Sequence, residues 1–122
     1  MSYYVDRFMA AVSTMAGNGQ VKQRLVEAYE QNLQAIEAAE LPAAARPLFR
    51  ELQGMMQSVA PLNGEGPIRA TVRKMSIHDT DRCARLMVEL LTEVVRASDS
   101  ERRAAPVEDV RPVVPPFLVK SG

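Results

Sequence analysis

The sequence predicts an all-α protein: a four-helix up-down bundle, with a short extra helix or edge strand before the last long helix and an extended proline-containing C-terminal tail. Three observations carry that reading. Apolar residues recur three and four apart over four long stretches, which puts them on single helical faces. Glycine, asparagine and proline interrupt the pattern at short intervals, as helix connections do. Two-residue alternation, the mark of a strand, occurs only around Ile68, Ala70 and Val72.

The first helix is expected from Ser2, a candidate cap, to about Ala16, with Tyr4, Phe8, Val12 and Met15 on one face. Gly17-Asn18-Gly19 ends it. Glycine suits a left-handed position just past a helix, and Asn18 suits the cap of the next one. So short a connection makes the two helices antiparallel neighbours.

The second helix is expected over 20–40, burying Val21, Leu25, Ala28, Tyr29, Leu33, Ile36 and Ala39. Asn32 falls near the middle of that face. An amide there needs a partner: a carbonyl or side chain of its own bundle, a subunit interface whose register it sets, or a ligand. Leu41-Pro42 breaks the helix. The third is expected over 43–59, with Leu48, Leu52, Met55, Met56 and Val59 on one face. Pro47 fits if it lies in the first turn, or if the helix proper begins at Arg46-Pro47 after a single turn. Gly54, on the polar face, costs roughly 1 kcal/mol relative to alanine. It reads as drift or as a place where another backbone comes close.

Residues 60–67 read as a loop. Ile68, Val72 and Met75 share a helical face starting at Pro67, a favoured first residue. An isolated strand would have no partner in a helical chain, so the short helix is preferred.

The last long helix is expected over 76–97. Ser76 is its cap, with Asp79 and Asp81 at the positive end of the dipole. Cys83, Leu86, Met87, Leu90, Leu91, Val94 and Val95 fall on one side, and Arg82, Arg85, Glu89, Thr92, Glu93 and Arg96 on the other. Counting Ala84 and Val88, the apolar arc covers roughly 200°, against about 100° for a surface helix. The surplus calls for cover from the bundle or from a second copy of the chain. Leu86, Leu90 and Val94 are the expected contact residues, joined by Phe117 and Leu118 of the tail.

Residues 1–97 thus read as a helical bundle domain and 98–122 as an extended or partly disordered tail. It docks on the bundle or on a sister subunit, or stays free. Its first part is a solvated, charge-balanced linker. Its end carries Val113, Val114, Phe117, Leu118 and Val119 between prolines, and Pro112-Val113-Val114-Pro115 beside Arg111 matches the pattern of a polyproline ligand.

Composition narrows the function. At 122 residues the chain is one domain, long enough to bury a core without staples. One cysteine cannot form an internal disulfide, which fits a reducing compartment. No secretory leader or membrane span is expected. The formal net charge of zero argues against strong non-specific attraction to nucleic acid or lipid.

His78, Asp79, Asp81 and Cys83 are metal-ligand types, but their spacing is poor: Arg82 stands one turn after His78, and Cys83 faces the apolar side. They read as dipole acids, an exposed histidine and a small core residue. His78 and Cys83 diverge by about 140°, so they make no catalytic dyad. Arg69, Arg73, Lys74, Arg82 and Arg85 form the densest basic group, against Asp79 and Asp81 in the same stretch. It reads as a solvated face paired with acids such as Glu65, or as a contact for nucleic acid or another anion. No aromatic residue interleaves it, so base stacking has no platform. Met9, Met15, Met55, Met56, Met75 and Met87 read as core filler or as an adaptable groove.

The expectation is a small cytoplasmic helical protein–protein interaction or regulatory protein. It self-associates, most simply as a homodimer, and needs no cofactor, catalytic site or membrane. The alternative is a nucleic-acid-binding regulator using the basic group from Arg69 to Arg85; a third class is an enzyme with a carboxylate-based site, which needs no local motif and for which the sequence offers no positive sign.

Overall fold

The structure, a computed structural model, describes residues 1–61 and 64–104. Among them the chain is all-helical: α1 (Ser2–Met15), α2 (Val21–Asn32), α3 (Arg46–Met56), α4 (Pro67–Lys74) and α5 (Ile77–Ala104), with a 3-10 turn at Ala38–Glu40. The axis is α5, which packs against α1, α3 and α2, while α4 bridges α2 and α3. Around it Phe8, Leu25, Tyr29, Leu33, Phe49, Leu52, Met56, Leu86, Met87 and Leu90 are wholly buried. The rings of Phe8 and Phe49 meet edge to face, 5.9 Å apart.

Several elements form as the sequence suggests. Pro67 opens α4, which makes residues 68–74 helical and leaves Met75 as an extended cap. Ser76 caps α5, its hydroxyl accepting the Asp79 amide at 3.0 Å. Pro47 lies in the first turn of α3, after a turn at 43–45. That is the shorter of the two starts.

Four helices of comparable length do not form. The second ends at Asn32 instead of Glu40. Leu33, Ile36, Ala38 and Leu41 are all buried. A straight helix would point Leu33 and Ala38 about 140° apart. Turning the chain brings both into the core, and Ala39 is left outside. The Asn32 amide donates to the Ala28 carbonyl at 3.1 Å, within its own last turn. A carbonyl of its own bundle is thus the partner this amide finds.

The last helix runs past Ala97 to Ala104. Residues 98–104, polar enough to read as linker, are helical because Asp99 pairs with Arg102 at 3.2 Å and Arg103 at 3.0 Å, one turn on. The amino group of Met1 also lies 3.8 Å from Glu101. That contact brings the start of α1 to the end of α5, so the two helices are antiparallel.

The first connection works by another device than the one expected. Gly19, not Gly17, takes positive φ, at 98°. Gln20 caps α2 with no side-chain bond. Arg24 reaches back instead, donating at 2.8 Å to the carbonyls of both Met15 and Gly17 and so closing the end of α1.

Candidate functional site

The residues expected to contact a partner do not share one fate. Leu86, Leu90 and Val94 are wholly buried in the chain's own core. The helices α1, α2 and α3 already cover them, so they offer no surface to a second molecule. Phe117 and Leu118, with the rest of 105–122, lie outside the described residues.

Part of the wide apolar arc of α5 nevertheless remains in water. Ile77 is 70% exposed, Val88 51% and Val95 43%. Ala84 and Leu91 between them are half-buried. On the helix these five fall within roughly 60° of one another, along one flank of the buried face. Their steps are seven, four, three and four residues, the spacing of a coiled-coil seam. From Ile77 to Val95 the stripe is roughly 27 Å long at 1.5 Å per residue. Its outer edge runs into Asp81, Arg85, Thr92 and Asp99. The signal was present in the sequence as Ala84, Val88, Leu91 and Val95. It was hidden because the core face and the outer stripe merge into one arc until the neighbours of α5 are known.

The basic group is not a free positive surface. Arg73 donates twice to Glu65, at 3.0 and 2.8 Å. Arg69 lies 3.4 Å from Glu30. Arg82 grips both oxygens of Glu51 at 2.9 Å and reaches Glu89 at 3.2 Å, tying α3 to α5. Arg85 pairs with Asp81 at 2.8 Å. The hydrogen bonds from Arg82 and Arg73 hold Glu51 and Glu65 below the usual carboxylate range. Of the five basic residues, only Lys74 has no carboxylate within ion-pair distance among the described residues. A phosphate backbone would have to compete with carboxylates already in place, which weakens the electrostatic term that drives nucleic-acid binding.

Lys74 instead lines a cleft of about 540 Å³ where α3, α4 and the start of α5 meet. Met55, Val59 and Met75 supply apolar walls, with Arg50, Ser58 and Asp79 also at the surface of the cleft. Gly54 opens onto it: a Cβ placed there would meet nothing within 4 Å. No neighbouring backbone therefore explains this glycine.

The remaining candidate chemistry dissolves. His78 is exposed and Cys83 wholly buried. Burial pushes the Cys83 thiol up to about 12, so it stays protonated and is a poor nucleophile near neutral pH. No three His, Cys, Asp or Glu residues converge as a metal site among the described residues. Nor is any described helix long and apolar enough to cross a membrane.

No family model matches the chain, and no curated protein or solved structure matches it either.

Proposed function

We propose that this chain is a helical interaction protein that self-associates through the outer stripe of α5, pairing it with the same stripe of a second copy. The observation that carries the reading is the four-three-four spacing of Ala84, Val88, Leu91 and Val95 on a face the bundle covers only in part. Such a seam accepts another helix, and a two-fold axis makes one seam sufficient for both partners.

The antiparallel sense fits best. It sets Ala84 against Val95 and Val88 against Leu91, so a small side chain faces a larger one in the outer layers. It also brings Asp81, at the start of α5 beside the stripe, toward Arg102 and Arg103 at the end of its mate, and opposes the two helix dipoles. The cytoplasm is the setting of this reading: the lone thiol is buried and no second cysteine exists to pair with it. Regulation by such a protein consists in presenting, or withholding, a paired surface.

Cross-linking tests both the contact and its sense. A chain carrying Ala84→Cys is mixed with one carrying Val95→Cys under mild oxidation, with the buried Cys83 left in place. The expected product is the mixed disulfide, formed faster than either same-site disulfide. Preferred 84–84 and 95–95 products would overturn the antiparallel sense, and absence of any cross-link would overturn the contact. The same pair in chains ending at residue 104 identifies a competitor. Cross-linking seen only after that deletion means that 105–122 occupies the stripe in the intact chain, which also counts against the second copy.

A further inference from the structure

The cleft between α3, α4 and the start of α5 has a property the rest of the described surface lacks. Nearly every described cation is already held. Arg69, Arg73, Arg82, Arg85, Arg96, Arg102 and Arg103 are ion-paired. Lys22, Arg24 and Arg46 donate to backbone carbonyls. Arg7 lies over the ring of Tyr3 at 5.9 Å. Arg50 and Lys74 are the two that remain among the described residues, and both line this one cleft.

The acids of the cleft do not cancel them. Glu51 is engaged on both oxygens by Arg82. Asp79 is left, its backbone amide bonded to the Ser76 hydroxyl at the start of α5. The cleft thus holds two uncommitted positive charges and one uncommitted negative charge beside apolar walls from Met55, Val59 and Met75. Its volume of about 540 Å³ falls in the range of small-molecule sites, roughly 300–1,000 Å³.

We infer that this cleft binds a small organic monoanion: a carboxylate with an apolar body, its head between Arg50 and Lys74 and its body along Met55, Val59 and Met75. One residual positive charge suits one negative charge, and Asp79 disfavours a dianion such as a phosphate monoester. Gly54 is part of the design, because any side chain there would project into the space the body occupies. This site is separate from the outer stripe of α5 and does not depend on self-association.

The test is a titration of the full chain with octanoate, with octanol and octylamine as chain-matched controls. The readout is the methyl resonances of the methionines. Saturable shifts are expected at Met55 and Met75 and none at the exposed Met9 of α1. Octanol and octylamine should bind at least about tenfold more weakly. Arg50→Gln and Lys74→Gln, at exposed positions, should each weaken octanoate by about tenfold. Gly54→Leu should remove the shifts while leaving the unfolding midpoint undiminished, which separates a blocked cleft from a damaged fold. Absence of saturable shifts at Met55 and Met75 would overturn the inference. Equal binding of the three probes, equal shifts at Met9, or wild-type affinity in the charge variants would overturn it too.

Discussion

Phe49 shows how a single side chain escapes periodicity. Leu48 and Phe49 are adjacent and both apolar, so the expected third-helix face began at Leu48. The buried set is Phe49, Leu52 and Met56, all without exposed surface, and Leu48 is half-buried. A shift of one residue rotates a helix by 100°, and only the partner, Phe8 on α1, decides which face wins. Phe49→Ala should therefore cost about 3–5 kcal/mol in urea unfolding, the range for deleting a buried aromatic ring. A loss under about 1 kcal/mol would mean that the ring is not packed as described. Cys83 was legible as a small core residue, and its burial has a consequence in alkali. An unfolded thiol titrates near 8.5, whereas in the fold burial pushes Cys83 up to about 12. The folded state keeps a proton that the unfolded chain releases. That stability is complete below the unfolded value and falls as pH rises toward the folded one. The urea midpoint should drop between about pH 9 and pH 11, and Cys83→Val should shallow the drop. A residual slope is expected from Tyr29, whose hydroxyl burial also raises. An unchanged slope in Cys83→Val would contradict the assignment.

At the scale of elements, chemistry that acts locally was readable, and packing that acts at a distance was not. Ser76 as a cap and Pro67 as an opener depend on residues within one turn, and both behave as their types suggest. The end of α2 depends on where Leu33, Ile36, Ala38 and Leu41 must go, which only the neighbouring helices fix. The end of α5 is hidden for a different reason. Residues 98–104 have the composition of a linker but carry i,i+3 and i,i+4 ion pairs and the Met1–Glu101 contact. Two glycines separate backbone from side-chain effects within these elements. A Cβ at either Gly19 or Gly54 meets nothing within 4 Å, but only Gly19 has positive φ. Gly54→Ala should stabilise by about 0.5–1 kcal/mol, through helix propensity. Gly19→Ala should destabilise by about 1 kcal/mol, because the turn needs a conformation alanine resists. Thermal unfolding of the pair checks both signs, and destabilisation by Gly54→Ala would show that its helix face is not open.

For the whole molecule, the sequence made the helical class and the width of the apolar arc on α5 plain. It could not divide that arc between inside and outside. The bundle takes Leu86, Leu90 and Val94 for itself and leaves Ile77, Val88 and Val95 to water. The basic group was equally ambiguous, since Glu30 and Glu51 approach Arg69 and Arg82 from other helices and are remote in the chain. Among the described residues, what remains is a nearly self-satisfied charged surface carrying one apolar seam and one cleft with two uncommitted cations. Pairing of two chains along the seam makes mass depend on concentration, which light scattering across a concentration series reads. The full chain should pass from 13.5 kDa to twice that mass as concentration rises. Val88→Glu with Val95→Glu should stay at the single-chain mass with unchanged helical content, because both side chains already reach water in the monomer. A wild-type chain that remains at 13.5 kDa at every concentration, or a double variant that doubles in mass as the wild type does, would show that the seam does not join two chains.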